Sequence, residues 1–442
     1  MSLDRSTLRR HGFEYVRLVW CDNANLIRAK AAHISQLEEV AEHGLGISFA
    51  QQAVPVLRDA FVAKSGLGPV GEVRLAPDWS TLSGLPFAPG HARLMSDLAL
   101  DGKPWAYCPR AFLKRSVAAL AEEGLSVQAA FENEFYLLRN GEAGSGGNLE
   151  PVDRALFCSV YAMNKNAEFL AKLTAALLEQ GLHPVNYYPE SGFGQYELST
   201  AHAAPLVAAD GQLIFRETVH AVAAQFGWLA TFLPKPFPDQ AGSGCHLHLS
   251  LWKGDHNLSR EAPGPDSVNA HFMAGILEHL PGLMALTAPT RNSYARFGRH
   301  LWSGAFAAWG YDNREAAIRV PTHPDGVSHF ELKTHDATAN PYLALGGVLS
   351  AGLDGIRRKL PLPEPVTIDP GLMSVEELVE KGIDELPTEL SEVLEHFEED
   401  GLLQSCLGPE LARSYLCVKR EELRGLADLS SEQEIALLLE RY

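Results

Sequence analysis

Acidic and imidazole side chains recur in this chain at a spacing of two, the repeat that places neighbours on one face of a β-strand. FENEF carries Glu132 and Glu134, CHLHLS carries His246 and His248 with Ser250 next on that face, and HFELK carries Glu331 and Lys333. ESGFGQYE adds Glu190 and Glu197, separated by glycines that let a backbone turn closely around a ligand, and NREAAIR adds Arg314 and Arg319. Strand carboxylates with one or two imidazoles make an oxygen-rich site for a hard divalent ion, magnesium or manganese, whereas zinc or copper favours more nitrogen and sulfur. Arginines beside such a site complete the requirements of phosphoryl transfer: metals neutralise phosphate oxygens and guanidinium forks hold them bidentately. One ExE pair alone is more often a solvated strand face. The five segments together point to a metal centre.

These residues need strands to carry them. VRLVW (16–20) and LIRAKA flank the turn cluster CDNAN, which reads as a β-hairpin with a polar tip. A helix is expected over 34–43, then a strand GEVRLAPD closed by Pro77, then a Pro/Gly stretch at 85–92. CPRAFLKRSVAALAEEG reads as a helix opened by Pro109 and closed by Gly124. Beyond it strands and helices alternate: a strand at 127–138, an amphipathic helix at 166–181, the strictly alternating GCHLHLSLW, a small-residue helix at 341–360 and a helical, acidic tail from about 370. The change of pattern puts a domain boundary near 103–108, giving domains of 1–105 and 106–442.

Composition narrows the partners. The 442 residues carry a formal net charge of -18, the opposite of what a phosphate backbone selects, so no nucleic-acid partner is expected. The six cysteines form no CxxC pair, and the chain shows neither a signal-peptide pattern nor an apolar run long enough for a membrane span. The expectation is a cytoplasmic protein in a reducing compartment. Neither GxxxxGK[ST] nor GxGxxG occurs, so a nucleotide would have to be gripped another way.

Taken in order, FENEFYLL, ESGFGQYE, KPF followed by GSGCHLHLSLW, NSYARF, NREAAIRVP and NPYLALGGVLSAGLDGI resemble the signature segments of class I glutamine synthetases, over about residues 14–360. The resemblance implies an α+β fold: an N-terminal β-grasp domain and a larger catalytic domain with a curved antiparallel sheet flanked by helices. It also implies a homo-oligomeric ring, commonly a dodecamer of two stacked hexamers, each site completed by a neighbour's N-terminal domain. Carried over by residue, Glu134, Glu190 and Glu197 would hold one metal, and Glu132, His246 and Glu331 a second, with two or three Mg2+ or Mn2+ ions per site. His248 and Ser250 match positions that touch ATP, Arg314 and Arg319 the phosphate-gripping arginines, Arg296 the residue that holds the amino-acid carboxylate, and Gly242 a backbone contact to the amino group. The implied chemistry is a two-step ligation. ATP phosphorylates a γ-carboxylate, because a carboxylate alone is a poor acyl donor, and an amine then displaces phosphate.

Departures from that pattern bear on the second substrate. Ala50, in ISFAQQAV, stands where ammonia-using members carry an ammonium-binding Asp. Trp302, in HLWSGAF, stands at the loop glutamate that accepts an ammonium proton; indole offers an N–H and an aromatic face but no base. That face suits an alkyl or aryl amine, or a cation–π contact; the alternative is that Trp302 only packs its loop. His329 and Lys333 replace two arginines, and lysine lacks the planar fork that contacts a γ-carboxylate. WSGAF, NREA and FELK resemble the synthetase-like domain of fungal sporulation and plant nodulin fusion proteins. The sequence therefore favours a glutamate–amine ligase. A true ammonia-dependent glutamine synthetase is the alternative, and a catalytically silent structural homologue a further one.

Overall fold

The computed structural model describes residues 7–140 and 149–442. Its N-terminal part is one mixed sheet built from β1 (Tyr15–Cys21), β2 (Ile27–His33), β3 (Leu45–Ser48), β4 (Glu72–Gly84), β5 (His91–Leu100) and β6 (Lys103–Pro104), with helix α1 (Leu37–His43) beside it. The order is β2-β1-β5-β4-β3, with β6 on β5; β1 and β5 run parallel and the other pairs antiparallel, a grasp-like arrangement.

Pro77 does not close its strand. β4 runs on to Gly84, and Pro77 pairs with Ser96 of β5 while the β3 ladder on its other side stops at Leu75. A proline without an N–H is tolerated where one strand edge is free. The β1–β2 turn is polar but not wet: Asp22, Asn23 and Asn25 are buried. Asp22 accepts from the backbone N–H groups of Ala24 and Leu26 and pairs with Arg28, so the turn satisfies itself before it is covered. Its cover comes from distant sequence, with Asn23 donating to Ser414, Asn340 to the Asp22 carbonyl and Tyr442 to the Ala24 carbonyl.

The larger part begins with α2 (Pro109–Glu122), which has proline at its first turn and Cys108 as N-cap. Buried Arg110 on this helix joins three carboxylates from both parts of the chain: Asp78, Asp97 and Asp210. The second sheet comprises β7 (Ser126–Asn140), β8 (Leu149–Pro151), β9 (Pro184–Pro189), β10 (Gln195–Thr200), β11 (Trp228–Thr231), β12 (Cys245–Lys253), β13 (His256–Asn257), β14 (Phe306–Tyr311), β15 (Ala316–Val320) and β18 (Phe330–Leu332); β16 (Thr322–His323) and β17 (Gly326–Val327) pair separately. Its main path is β14-β15-β18-β12-β7-β10-β9, antiparallel except for the parallel β14–β15 pair.

Most of the remaining helices cover one face of this sheet. In order they are α3 (Val160–Lys165), α4 (Ala167–Glu179), α5 (Pro205–Gln225), α6 (Val268–Thr287) and α7 (Pro341–Arg358), followed by α8 (Val375–Lys381), α9 (Leu390–Glu399), α10 (Gly401–Leu407), α11 (Pro409–Leu426) and α12 (Ser431–Leu438). Two depart from that face: Leu378 of α8 packs with Phe306 and Ala308 in a separate cluster, and Leu438 of α12 packs into the core of the N-terminal sheet. On β7 and β12 the residues Ala129, Phe131, Phe135, Leu247, Leu249 and Leu251 enter one core with Phe215, Phe272, Ile276 and Leu345. The period of two leaves the alternate residues of the same strands facing away from the helices. Asn133, which falls on the core side, is satisfied by the Gln212 side chain of α5 at 2.6 Å.

Candidate active site

The register of the central strands brings the acids together. Glu132 of β7 lies opposite His246 of β12, Glu134 opposite Glu197 of β10, His248 opposite Glu331 of β18, and Arg319 of β15 opposite Glu331. Residues directly opposite in a ladder share a face, so four neighbouring pairs put one continuous polar surface on the side away from the helices. Glu190, between β9 and β10, joins them at the end of the sheet, its carboxylate accepting from the N–H of Ser191 at 2.9 Å.

Electrostatics divides this surface in two. In one half, Glu331 pairs with Arg319, lies 2.9 Å from His246 Nδ1 and 3.4 Å from Lys333 Nζ, while Glu132 contacts His246 Nδ1 at 3.2 Å and His248 Nε2 at 3.1 Å. Burial alone would raise these two carboxyls, but the histidines on Glu132, and Lys333 with His246 on Glu331, hold both well below the usual carboxylate range. The hydrogen bonds to Glu132 and Glu331 outweigh burial and the repulsion of Lys333 to raise His246 above an ordinary imidazole. One ligand atom from each of Glu132, His248 and Glu331 lies within 4.8 Å of the others.

The other half is Glu134, Glu190 and Glu197. Among the described residues none of them forms an ion pair with Lys, Arg or His. Burial, then the charges of Glu132 and Glu134, push the Glu197 carboxyl up to about 11; burial and Glu134 push Glu190 up to about 7. Two buried carboxylates and the half-buried Glu190, without a counter-charge among the described residues, are a donor set that fits a hard divalent cation, the group whose charge would relieve both shifts.

Glycines make the geometry possible. A Cβ at Gly244 would stand 2.7 Å from His246 Nε2 and 3.1 Å from Glu134 Oε1, and one at Gly242 would stand 2.5 Å from Cγ of Arg296. Arg296 is buried; its terminal nitrogens lie 3.3–3.4 Å from the Lys333 carbonyl and 3.4 Å from that of His335, and among the described residues its Nε has no hydrogen-bond partner. Gln195, not singled out from sequence, ties the pieces together: its amide donates to Glu134 at 3.2 Å, to the Gly242 carbonyl at 3.0 Å and to Ser243 at 3.1 Å. Its signal was available, since 195 and 197 share a strand face. Tyr188, also missed, hydrogen-bonds Glu197 from β9.

Along the sheet from the acids lies a cavity of about 750 Å³, lined by Glu132, His248, Ser250, His329, Trp252 and Arg260 among others. Ser250 accepts from the Trp252 indole at 2.9 Å, and the His329 ring lies against that of His248 at 5.1 Å. Burial and the nearby imidazoles lower His329 to about 4, so it stays neutral beside this cavity. Arg319 and Lys333 are therefore drawn into the polar surface. Arg314 is not: it is exposed, with its guanidinium over the Trp302 ring at 5.9 Å. Trp302 is 61% exposed and does not pack into its loop. Ala50 sits in the short turn Phe49–Ala53 of the N-terminal sheet.

Residues 106–438 match the glutamine synthetase catalytic domain and residues 5–105 the glutamine synthetase N-terminal domain. The chain is 34% identical to the type-1 glutamine synthetase 1 of Dictyostelium discoideum, covering 97% of this chain and 90% of that protein. It is 35% identical to the gamma-glutamylpolyamine synthetase GlnA3 of Streptomyces coelicolor, covering 98% and 95%. A crystal structure of a glutamine synthase homologue superposes with a TM-score of 0.85 at 34% identity over 97% of this chain and 99% of that one. GmaS in complex with ADP superposes with a TM-score of 0.84 at 28% identity over 98% of each. The chain belongs to the glutamine synthetase family.

Proposed function

We propose that this glutamine synthetase family ligase joins the γ-carboxylate of glutamate, or of a similar acid, to a primary amine other than ammonia, with ATP driving the ligation through an acyl phosphate. The observation that carries the reading is Trp302, an exposed indole under the Arg314 guanidinium at the loop position where ammonia-using enzymes carry an acid. A relative that makes γ-glutamylpolyamines supports the same acceptor class.

Glu134, Glu190 and Glu197 would hold one divalent ion, and Glu132, His246 and Glu331 a second, with His248 in reach of the latter. Magnesium or manganese bound there supplies charge neutralisation at the transferring phosphoryl group. The protein does the rest. His248 and Ser250 face the nucleotide cavity, Arg319 would meet phosphate oxygens from β15, and Arg314, which lies over the Trp302 ring, would have to swing inward to join it. Arg296, with the Gly242 backbone beside it, orients the amino acid, and Lys333 stands 3.4 Å from His246 Nδ1, where it can meet the γ-carboxylate.

We read residues 1–105 and 106–442 as the two domains, with the Ala50 turn of one copy completing the site of a neighbour in stacked hexameric rings, in a reducing cytoplasm. All six cysteines are free, and among the described residues no helix is long and apolar enough to cross a membrane. Sedimentation of the pure protein tests the ring.

A second reading, ammonia-dependent glutamine synthesis, is favoured by the identity to the Dictyostelium enzyme. One assay separates the two. Phosphate release from ATP is measured with glutamate and, one at a time, ammonia, methylamine, ethanolamine and polyamines. Turnover with an amine well above that with ammonia is expected. Ordinary rates with ammonia alone overturn the reading, and no turnover with any acceptor points to a silent scaffold.

A further inference from the structure

Residues 298–304, between Arg296 and β14, are held from two sides. On the outer side Arg299 pairs with Glu385 and contacts the Gly371 carbonyl, and His300 Nδ1 meets Asp369 at 2.8 Å. On the inner side the backbone N–H of Trp302 donates to Oε1 of Glu315 at 2.9 Å. His300 and Trp302 both adopt left-handed backbone, at φ 62° and 58°, which non-glycine residues hold only when their surroundings impose it. Glu315 is thus the inner clamp of the segment.

That clamp uses half of the carboxylate. Glu315 is 6% exposed, and its Oε2 is buried without a hydrogen-bond partner among the described residues. An ionised oxygen left bare in the interior is costly unless something cationic meets it. Among the described residues the nearby cations have other partners: Lys333 pairs with Glu331, His300 with Asp369, and Arg314 lies over the Trp302 ring. The carboxylate also lies within hydrogen-bonding distance of the backbone of Trp302, the residue that replaces the loop acid.

We propose that Glu315 is the amine-binding acid of this enzyme, its free Oε2 receiving the ammonium head of a primary alkylamine while the Trp302 indole lies along the alkyl chain. This rests on the ligase reading above. Gly298 and Gly304 bracket the segment that must lift to admit the amine. The bound alkylammonium gives one proton to the Glu315 carboxylate. Its freed lone pair forms the C–N bond at the acyl-phosphate carbon, the C–O bond to phosphate breaks with its electron pair leaving on phosphate, and the surplus nitrogen proton departs with that phosphate.

Glu315→Gln tests this in the full-length protein, because the amide oxygen still accepts from Trp302 while the charge is lost. Expected is a rise in KM for methylamine or putrescine of about tenfold or more. KM for ATP and KM for glutamate should hold. An unchanged amine KM overturns the proposal and leaves Glu315 as a brace for the loop. Should wild-type protein turn over with ammonia alone, the amine reading fails separately; KM for ammonium in Glu315→Gln then decides, a rise keeping Glu315 as the ammonium-binding acid and no change removing it. Glu315→Ser is the second variant if the first does not fold, with the same outcomes.

Discussion

Replacing Gly242 with alanine asks whether the turn before β12 is built around Arg296. The added Cβ would lie 2.5 Å from Cγ of Arg296 and 3.1 Å from both its Cβ and Cδ. Carbon atoms settle at about 3.5–4.0 Å, so the arginine stem must retreat by about 1 Å. Its contacts with the Lys333 and His335 carbonyls, at 3.3–3.4 Å, already stand at the long end of the hydrogen-bond range and do not survive that shift. Forcing extra volume into a packed site costs about 1–3 kcal/mol of stability. If Arg296 holds the glutamate carboxylate as proposed, a misplaced guanidinium forfeits a charge-assisted bond worth about 1.5–3 kcal/mol, which is about 10- to 100-fold in KM. Steady-state ADP release, with glutamate varied at saturating ATP and amine, reads the effect, and chemical denaturation reads the stability. KM for ATP should not move, because the cavity proposed for the nucleotide is lined by β7, β10 and β12 and not by Arg296. A variant that loses stability yet keeps the wild-type KM for glutamate refutes a substrate role for Arg296.

Three further perturbations probe other parts of the reasoning. Glu197 and Glu190 are raised, to about 11 and about 7, and His246 is raised too, whereas Glu132 and Glu331 finish titrating below the usual range. Raised groups favour the fold while protonated, so with chelator present stability should fall as pH climbs from about 5 to about 9. Glu197→Gln should flatten that fall and reduce the thermal-shift gain on adding magnesium or manganese; denaturant midpoints across the range that match wild type would sink the idea. Trp302→Glu returns an acid to the loop beside Glu315 and should move the ratio of kcat/KM for ammonia over that for alkylamine by at least about tenfold towards ammonia; an unchanged ratio removes Trp302 from the acceptor pocket. Gly275→Ala drives a Cβ from α6 into the Ala351 carbonyl and to 2.7 Å from the Gly355 nitrogen of α7. It should cost about 3 kcal/mol in urea denaturation while leaving every KM intact, and a cost under about 1 kcal/mol means the two helices can part.

Strand periodicity made the polar surface legible. Glu132 with Glu134, His246 with His248 and Glu331 with Lys333 each had to share a face once their segments were strands, because the strand repeat is two. Helix punctuation was equally readable: Pro109 opens α2, and Gly124 and Gly181, both with positive φ, follow α2 and α4. Two long helices, α5 and α6, left no such trace. Both are buried on most sides, so no polar stripe marks their period. Pro77 misled because its effect depends on whether a neighbouring strand needs its N–H, which is a property of the ladder.

What the sequence determined by itself is the stock of groups and their local facing: carboxylates, imidazoles and arginines at strand spacing, and the absence of an acid at residues 50 and 302. Tertiary structure decided which charges meet. Register between strands distant in sequence gave Glu132 and Glu331 their histidine, lysine and arginine partners and left Glu134, Glu190 and Glu197 without any, so chemically identical side chains titrate in opposite directions. It also set Arg314 over Trp302 and placed Glu315 beneath that loop with one oxygen unpartnered among the described residues. Spacing along a chain carries no such information, because electrostatic coupling depends on distance and burial, and both arise only when the strands pair.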